Sequence, residues 1–293
     1  MPLRAGARRN RLRAPYRGGV TPPDGGARGA AELLADADRP GGWLLLVDRV
    51  RQSYVDLDDP TYLDFEYVQV FADVLDTLPA GPLAVTHVGG GACSLARRIA
   101  VTRPGSPQIV LEPDTALTEL VRARLPLPRG HRIRIRPQDG RTGTAGLRDT
   151  SADVLVLDAF DGGRVPGELT TREYVAEVAR ALRPDGLFLA NVADGPPLTF
   201  TQRLAATVRE VLPQLAVIAD SGVLKGRRFG NVVLVASRAP LPMDGIRRAC
   251  AAAAFPRSVS TAVGRSAEPL TDADPMRSPA PPDAIWRVDT VEQ

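Results

Sequence analysis

Three apolar runs of strand length, each followed by residues that suit ligand contact, constrain the fold of this chain more than any other feature. Val154–Leu157 leads into Asp158, and Asp161 follows three residues later. An earlier run ends in the glycine turn Gly89–Gly91, and the run between them ends on Glu112. In an open parallel sheet, ligands bind outside the carboxyl ends of the strands. The pattern therefore predicts a ligand cleft formed by the glycines and these carboxylates.

The composition is that of an ordinary globular protein, and it excludes several other classes. The 293 residues are 44% hydrophobic, and no stretch approaches the roughly 18 apolar residues of a membrane span. The arginine-rich start lacks the apolar segment of a secretory signal. Two distant cysteines, Cys93 and Cys250, make neither a disulfide framework nor a metal site. We therefore expect a cytoplasmic protein with no membrane partner and no metal.

The basic charge is a weak indicator of nucleic-acid binding. The net charge is +3, and Lys225 is the only lysine, which is more typical of GC-rich coding bias than of selection for phosphate contacts. Arginines concentrated before residue 30 could touch nucleic acid through nonspecific charge. Their Gly- and Pro-rich surroundings are more typical of a solvated, disordered tail. We therefore expect no specific nucleic-acid partner.

Strand-like and helix-like segments alternate through the middle of the chain. Residues 1–40 are predicted to be a disordered Arg-rich tail, and residues 41–60 a β-hairpin element. Residues 61–238 are predicted to form an α/β, Rossmann-like nucleoside-binding catalytic domain around a parallel sheet, with an antiparallel strand pair at its edge. Residues 239–293 are predicted to be a short helix and a tail.

The glycine turn and the acid after the next strand together favour a nucleoside site. The turn formed by Gly89, Gly90 and Gly91 would let the backbone approach a ligand and present amides at a helix N-terminus. The alternative is that these glycines have no ligand role and serve only to relieve steric strain. Glu112 ends the strand that follows Gly91, where an acid can accept hydrogen bonds from both ribose hydroxyls. An exposed loop acid is the alternative interpretation of Glu112.

Two further acidic segments follow later strands. Asp139 beside Gly140 could accept a hydrogen bond from an exocyclic adenine amine, and a plain Asp-Gly turn explains the pair equally well. Asp158 could remove a proton from an amine that attacks carbon, or could hold an ammonium. Asp158 and Asp161 together favour a cationic partner, although Asp161 precedes two glycines and would also suit a turn.

These residues, in this order, resemble the spermidine/spermine synthase (polyamine aminopropyltransferase) family over about residues 43–238. The matching segments are Leu46–Gln52, Asp64–Tyr67, Gly89–Gly91, Leu111–Asp114, Gln138–Gly140, Asp158–Asp161 and Leu169–Tyr174. Each segment alone would be a weak signal, and their order and spacing carry the resemblance. The chain is therefore identified as a diverged, spermidine synthase-like member.

The resemblance implies a fold, a reaction and a role for each site residue. It implies the Rossmann-like fold of S-adenosylmethionine-dependent methyltransferases with a short N-terminal β-hairpin element, and a homodimer. The reaction would transfer an aminopropyl group from decarboxylated S-adenosylmethionine, a co-substrate and not a permanently bound cofactor, to a small-molecule amine. The nucleoside would be held by Gln52, the glycine turn, Glu112 at the ribose, and Asp139 with Gly140 at the adenine. Asp158 would be the catalytic base, and Tyr67 and Asp161 would bind the amine substrate.

Two departures from the family pattern keep other functions open. Ala92 stands where the family has an acid that holds the cationic aminopropyl end of the donor, and Val68 stands where many members have glutamine. Intact S-adenosylmethionine carries a carboxylate that such an acid would repel, so a methyltransferase is the first alternative. A non-catalytic nucleoside-binding homologue is the second. The acceptor is not identified by the sequence.

Overall fold

The chain forms two β-sheets in a computed structural model that describes residues 30–255 and 257–282. The smaller sheet has three antiparallel strands, β1 (Ala31–Ala35), β2 (Gly42–Val47) and β3 (Val50–Asp56). The larger sheet has eight strands. Most of the predicted N-terminal tail, up to residue 29, and the end of the predicted C-terminal tail, from residue 283, lie outside the described residues.

The small sheet extends the predicted hairpin by one strand. Strands β2 and β3 are joined by Asp48 and Arg49, whose φ angles of 50° and 64° suit a tight two-residue turn. Strand β1 pairs along β2, so the predicted disorder of residues 1–40 is wrong for residues 31–35. The segment Ala-Glu-Leu-Leu-Ala was missed because it contains no β-branched or aromatic residue, and alanine and glutamate are depleted in strands. Its Leu34 is buried by packing against residues such as Leu44.

The large sheet places five parallel strands side by side. Its strands are β4 (Val85–Val88), β5 (Gln108–Leu111), β6 (Ile133–Arg136), β7 (Ala152–Leu157), β8 (Leu182–Asp194), β9 (Gln214–Asp220), β10 (Gly230–Ser237) and β11 (Arg257–Ser260). The order across the sheet is β11-β9-β10-β8-β7-β4-β5-β6. Strands β4 to β8 are parallel, whereas β10 runs antiparallel between β8 and β9.

The C-terminal part of the sheet differs from the prediction. The antiparallel pair β9 and β10 does not form the edge, because β11 pairs with β9 beyond it. Strand β11 lies in the segment 239–293, which was predicted to be a short helix and a tail. The sequence gives little sign of this strand, since Arg257–Ser260 is short and holds a single β-branched apolar residue, Val259.

Helices cover both faces of the large sheet. They are α1 (Glu66–Asp76), α2 (Ser94–Thr102), α3 (Thr115–Arg124), α4 (Gly140–Ala145), α5 (Arg172–Ala181), α6 (Thr199–Val211), α7 (Ser221–Leu224) and α8 (Met243–Ala252). Successive residues of β7 face opposite layers: Leu155 packs on the side of α5 and α6, and Val156 on the side of α1 and α8. Burial on both faces explains why this strand is apolar throughout. Among the described residues, no helix combines the length and apolar character needed to cross a membrane.

A buried arginine connects the turn after β4 to the end of α3. Arg97 is 2% exposed, and its guanidinium donates to the carbonyl oxygens of Ala92 at 2.8 Å, Leu125 at 2.5 Å and Pro126 at 2.7 Å. These carbonyl oxygens lie just before α2 and just after α3, where no helix or strand supplies a hydrogen-bond donor. The guanidinium therefore replaces the backbone partners that the two segments lack.

We expect Arg97→Met to lower the free energy of unfolding by on the order of 3 kcal/mol, because three carbonyl oxygens would lose their donors in the interior. The neighbouring Arg98 is a matched control, since it pairs with the half-exposed Asp76 at 2.7 Å on the surface. Arg98→Met should cost less than about 1 kcal/mol. Urea unfolding of both variants gives the comparison, and equal losses would contradict the role assigned to Arg97.

Candidate functional site

The ten residues predicted from the sequence to bind substrates or to catalyse line one cleft of about 480 Å³. They are Gln52, Tyr67, Gly89, Gly90, Gly91, Glu112, Asp139, Gly140, Asp158 and Asp161. Strands β4, β5 and β7 are neighbours and run in the same direction, so their carboxyl ends meet at one edge of the sheet. The hairpin strand β3 contributes Gln52, and α1 contributes Tyr67. We call this space the first cleft.

Close backbone contact requires a glycine at the first position of the turn. Gly89 has a φ of 98°, and a Cβ built there would lie 2.1 Å from the carbonyl oxygen of Asp158. The end of β4 can therefore approach the end of β7 only because residue 89 has no side chain. Steric relief, one of the two interpretations drawn from the sequence, accounts for this glycine. Gly90 has a second task, since its amide donates to Glu112 at 2.9 Å.

Backbone amides fix both oxygens of the Glu112 carboxylate. Oε2 accepts from the amide of Gly90, and Oε1 accepts from the amide of Asp114 at 2.9 Å. Asp114 in turn caps α3 by accepting from the amide of Leu117 at 2.9 Å. Each carboxylate oxygen has a further lone pair. Glu112 can therefore accept two more hydrogen bonds, in an orientation fixed before any ligand binds.

Asp139 caps a helix that the sequence does not reveal. Its Oδ1 accepts from the amide of Thr142 at 2.8 Å at the start of α4, and this backbone hydrogen bond lowers the pKa of the carboxyl. Helix α4 is short and contains Gly140 and Gly143, which have poor helix propensity. A Cβ at Gly140 would lie 2.4 Å from Val88. The pair thus serves the local structure, and its carboxylate also faces the first cleft.

Asp158 is the carboxylate held most specifically in the cleft. It is partly buried at the end of β7, its Oδ1 accepts from Asn191 Nδ2 at 2.9 Å, and its Oδ2 accepts from the Tyr67 hydroxyl at 3.1 Å. Withdrawal from water raises the pKa of Asp158 to about 6, against the effect of the two hydrogen bonds. Burial, then the charge of Asp158, raises the pKa of Tyr67, so the phenol stays a donor.

Asn191 is a site residue that the sequence analysis missed. It lies on β8, is 1% exposed, and is the polar residue within the apolar run Leu187–Val192. Buried polar side chains are uncommon and are normally hydrogen-bonded. A polar residue inside a strand that is otherwise buried on both faces was therefore the signal that could have identified it.

A second cavity, of about 330 Å³, adjoins the first cleft. Gln52, Tyr67 and Phe160 line both spaces. Asp158 lines the first cleft, and both of its hydrogen-bond partners, Tyr67 and Asn191, line the second cavity. The Asp158 carboxylate therefore stands at the junction of the two spaces, where groups bound on either side would meet.

The structure places Asp161 away from the second cavity. Its side chain is 68% exposed, and its carboxylate pairs with Arg277 at 2.7 Å at the first cleft. Arg277 lies in the segment predicted to be a tail, and nothing local in the sequence indicated this contact across 116 residues. Neighbouring contacts, among them the amide of Val165 donating to the Ser278 hydroxyl at 2.8 Å, hold the segment against the loop that follows β7.

The side chain of Ala92 does not face the first cleft. Residue 92 is fully buried, and its methyl group packs with Leu45, Leu117 and Val121. Its amide donates to the Ser53 hydroxyl at 3.2 Å. An acid at this position would enter an apolar cluster in this chain. The sequence departure at residue 92 therefore changes the core under the turn and not the surface of the first cleft.

Comparisons with known proteins give one consistent similarity. No family model matches the sequence. The chain is 30% identical to the polyamine aminopropyltransferase of Chromobacterium violaceum over 141 residues, 48% of this chain and 53% of that protein, so the match spans about half of the relative's length. It is 32% identical to a probable spermidine synthase from Corynebacterium glutamicum, with a TM-score of 0.77 over 86% of this chain and 97% of that one. Human methyltransferase-like protein 13 in complex with SAH shares the fold at 20% identity, with a TM-score of 0.50 over 63% of this chain and 92% of that one.

We expect the raised pKa of Asp158 to destabilise the fold as pH rises. The folded-state pKa of about 6 exceeds the value of about 3.9 for an unfolded chain, so the native state binds this proton more tightly. Stability from this group is complete below about pH 4 and is lost as pH rises through 6. Asparagine cannot titrate, so Asp158→Asn should gain stability relative to the wild type as pH rises. The difference in free energy of unfolding between variant and wild type should shift in favour of the variant by on the order of 2 kcal/mol between pH 4 and pH 8. Urea unfolding at both pH values tests this, and a pH-independent difference would contradict it.

Proposed function

Because the chain belongs to the spermidine synthase (polyamine aminopropyltransferase) family, we propose that it transfers an aminopropyl group from decarboxylated S-adenosylmethionine to an amine acceptor. The observation that carries the proposal is the place of Asp158 between the first cleft and the second cavity. A group-transfer enzyme needs its base where donor and acceptor meet. The donor would occupy the first cleft, and the acceptor the second cavity.

The first cleft supplies the polar groups that a nucleoside donor requires. Glu112 would accept from the two ribose hydroxyls with the lone pairs left free by Gly90 and Asp114. Asp139, with its Oδ1 engaged at Thr142, would accept from the adenine amine through its other oxygen. Gln52 lines both spaces and would contact the donor near the transferred group. Because backbone amides already hold Glu112 and Asp139, these two side chains would need little ordering on binding.

Asp158 is suited to remove the proton that the acceptor loses. The acceptor nitrogen would attack the aminopropyl carbon bonded to the sulfonium, the C–S bond would break, and its electron pair would stay on sulfur in methylthioadenosine. The nitrogen would pass its proton to Asp158. A carboxyl with a pKa near 6 is mostly ionised at neutral pH and is a stronger base than an ordinary aspartate. Tyr67 and Asn191 would keep the carboxylate oriented toward the nitrogen.

A methyltransferase is the second candidate, favoured by Ala92. Because residue 92 is buried and has no charge, it offers no anchor to a cationic aminopropyl tail and no repulsion to the carboxylate of intact S-adenosylmethionine. A homodimer and a cytoplasmic location, which follow from the family resemblance and the composition, stay predictions.

Incubation with each sulfonium donor and a panel of amines tests the proposed function. With the decarboxylated donor, mass spectrometry should detect methylthioadenosine together with an amine that has gained one aminopropyl group. Asp158→Asn should abolish both products while binding of methylthioadenosine is retained. Formation of a methylated amine from intact S-adenosylmethionine would favour the second candidate. If neither reaction occurs, the result would support a non-catalytic homologue.

We expect Glu112→Gln to weaken nucleoside binding by on the order of 1.5–3 kcal/mol, because the ribose would lose its charge-assisted hydrogen bonds. Glu119→Gln is the matched control, since Glu119 is exposed on α3, the helix that follows Glu112. Calorimetry with methylthioadenosine should show a loss for the first variant only. Equal affinities for wild type and Glu112→Gln would count against the ribose role.

A further inference from the structure

A small cavity of about 40 Å³ lies beside Asp158, on the side of the sheet that α1 and α2 cover. Residues of the glycine turn, of α1 and of α2 line it together with His87 and Asp158. We call this space the inner cavity. A polar cavity can hold a water molecule once it offers roughly 10–15 Å³ and at least two polar partners. The inner cavity therefore has room for water next to the proposed base.

The register of the sheet places His87 between Gln108 and Asp158 on one face. His87 on β4 pairs with Val156 on β7, and Asp158 comes two residues after Val156. On the other side of β4, Gln108 on β5 pairs with Val85, two residues before His87. The three polar side chains therefore follow a diagonal across neighbouring strands. The backbone positions of His87 and Asp158 are about 8 Å apart along this diagonal.

Gln108 determines which nitrogen of His87 carries the proton. The Gln108 amide nitrogen donates to the carbonyl oxygen of Ala96 at 2.9 Å, so its Oε1 is the atom that faces the imidazole. Nε2 of His87 lies 2.9 Å from that oxygen and must be the donor. Burial lowers the pKa of His87 to about 4, so the ring is neutral at neutral pH. Nδ1 therefore keeps a lone pair and carries no hydrogen.

The lone pair of His87 Nδ1 has no partner within residues 30–255 and 257–282. His87 is 6% exposed, yet Nδ1 keeps accessible surface, in contrast to the sealed Oδ1 of Asn191. The two nitrogens of an imidazole point in nearly opposite directions. Because Nε2 faces Gln108, Nδ1 faces the other end of the diagonal, where Asp158 lies. An acceptor this well buried normally has a hydrogen-bond partner.

The Asp158 carboxylate also has lone pairs left. Its Oδ1 accepts from Asn191 and its Oδ2 accepts from Tyr67. An ionised carboxylate offers about four lone-pair sites, so roughly two remain. One would serve the reacting amine. The other is available to a donor in the inner cavity, which His87 Nδ1 cannot be, because it carries no hydrogen. A water molecule between the two acceptors has one hydrogen for each.

We propose that His87 is a positioning residue that acts on Asp158 through one water molecule in the inner cavity. The water donates one hydrogen to Nδ1 of His87 and the other to the carboxylate of Asp158. Because Nδ1 can only accept, it dictates the direction in which the water faces. The carboxylate then has a third donor beside Tyr67 and Asn191. The effect on catalysis rests on the proposed function, whereas the hydrogen bond does not.

Other titratable groups surround the inner cavity. Those that line it with His87 are Tyr54, Asp64, Tyr67, Cys93 and Asp158. Burial raises the pKa of both tyrosines, and it raises that of the Cys93 thiol to about 11, so these groups stay protonated at neutral pH. Burial also raises the pKa of Asp64, which pairs with Arg51 at 3.3 Å. Asp64 is therefore a second carboxyl group whose titration has to be separated from that of Asp158.

Carbon-13 NMR of the aspartate carboxyl groups in the full chain tests the contact without any reaction. The Asp158 signal is the one lost in Asp158→Asn, which separates it from that of Asp64. In His87→Phe, which has no acceptor, the midpoint of the Asp158 titration should rise by on the order of one pH unit, since the ionised form loses a donor. In His87→Asn, whose Oδ1 takes about the place of Nδ1, the midpoint should stay near the wild-type value. Both variants lose the hydrogen bond to Gln108, so they differ in the acceptor.

Val110→Ala is the control, because it enlarges the same cavity beside His87 without removing a polar group. Its Asp158 midpoint should not move. If His87 only packs the core, both histidine variants lose stability and neither midpoint changes, so a folded His87→Phe with the wild-type midpoint overturns the proposal. Should the phenyl ring prevent folding, His87→Leu, which also lacks an acceptor, serves in its place and should shift the midpoint in the same direction.

The pH dependence of kcat/KM extends the test to catalysis. The acidic limb should follow the NMR midpoint, moving to higher pH in His87→Phe and staying in place in His87→Asn. A shifted midpoint in a protein that forms no methylthioadenosine would sink the transfer reaction and keep the water-mediated contact. Transfer by a His87→Phe variant with an unchanged midpoint and limb would overturn the contact and keep the reaction.

Discussion

The hydrogen bonds that hold Asp158 between Tyr67 and Asn191 are the interaction on which the rest of the site depends. They join three elements, α1, β7 and β8, at one carboxylate. Withdrawal from water favours the protonated form, and the two donors favour the ionised form, so the group settles at a pKa between an exposed and an unpartnered buried aspartate. The fold is therefore less stable at neutral pH than it would be with a neutral side chain in place of this carboxylate.

Glycine makes that arrangement geometrically feasible. With 2.1 Å between a Cβ at residue 89 and the carbonyl of Asp158, any side chain would push β4 and β7 apart at the carboxylate. The next residue, Gly90, uses its amide to fix Glu112. Two neighbouring residues of one turn thus control the spacing at Asp158 and the orientation of Glu112. The first cleft is therefore a property of the backbone as much as of its side chains.

The parts of the structure that the sequence predicts well are those with local causes. Strands β4, β5 and β7 are apolar runs ended by glycine or acid, and adjacency of parallel strands then brings Gly89, Glu112 and Asp158 together. Asn191 was missed because its importance lies in a contact with another strand. Strand β11 and Arg277 were missed because distant packing, not local composition, holds them. The family pattern suggested a ligand-facing position for residue 92, which the apolar cluster around its methyl group rules out for this chain.

The reach of Arg277 back to Asp161 has a consequence for the newly made chain. Synthesis adds about 5–20 residues per second, and a domain generally folds as a unit. The central parallel strands are complete once β8 has formed, yet β11 and the segment around Ser278 are made much later. The eight-stranded sheet therefore cannot be completed until several seconds after β8 has been synthesised, because β10 and β11 follow it in the chain. The contact of Arg277 with Asp161 at the first cleft would be among the last to form.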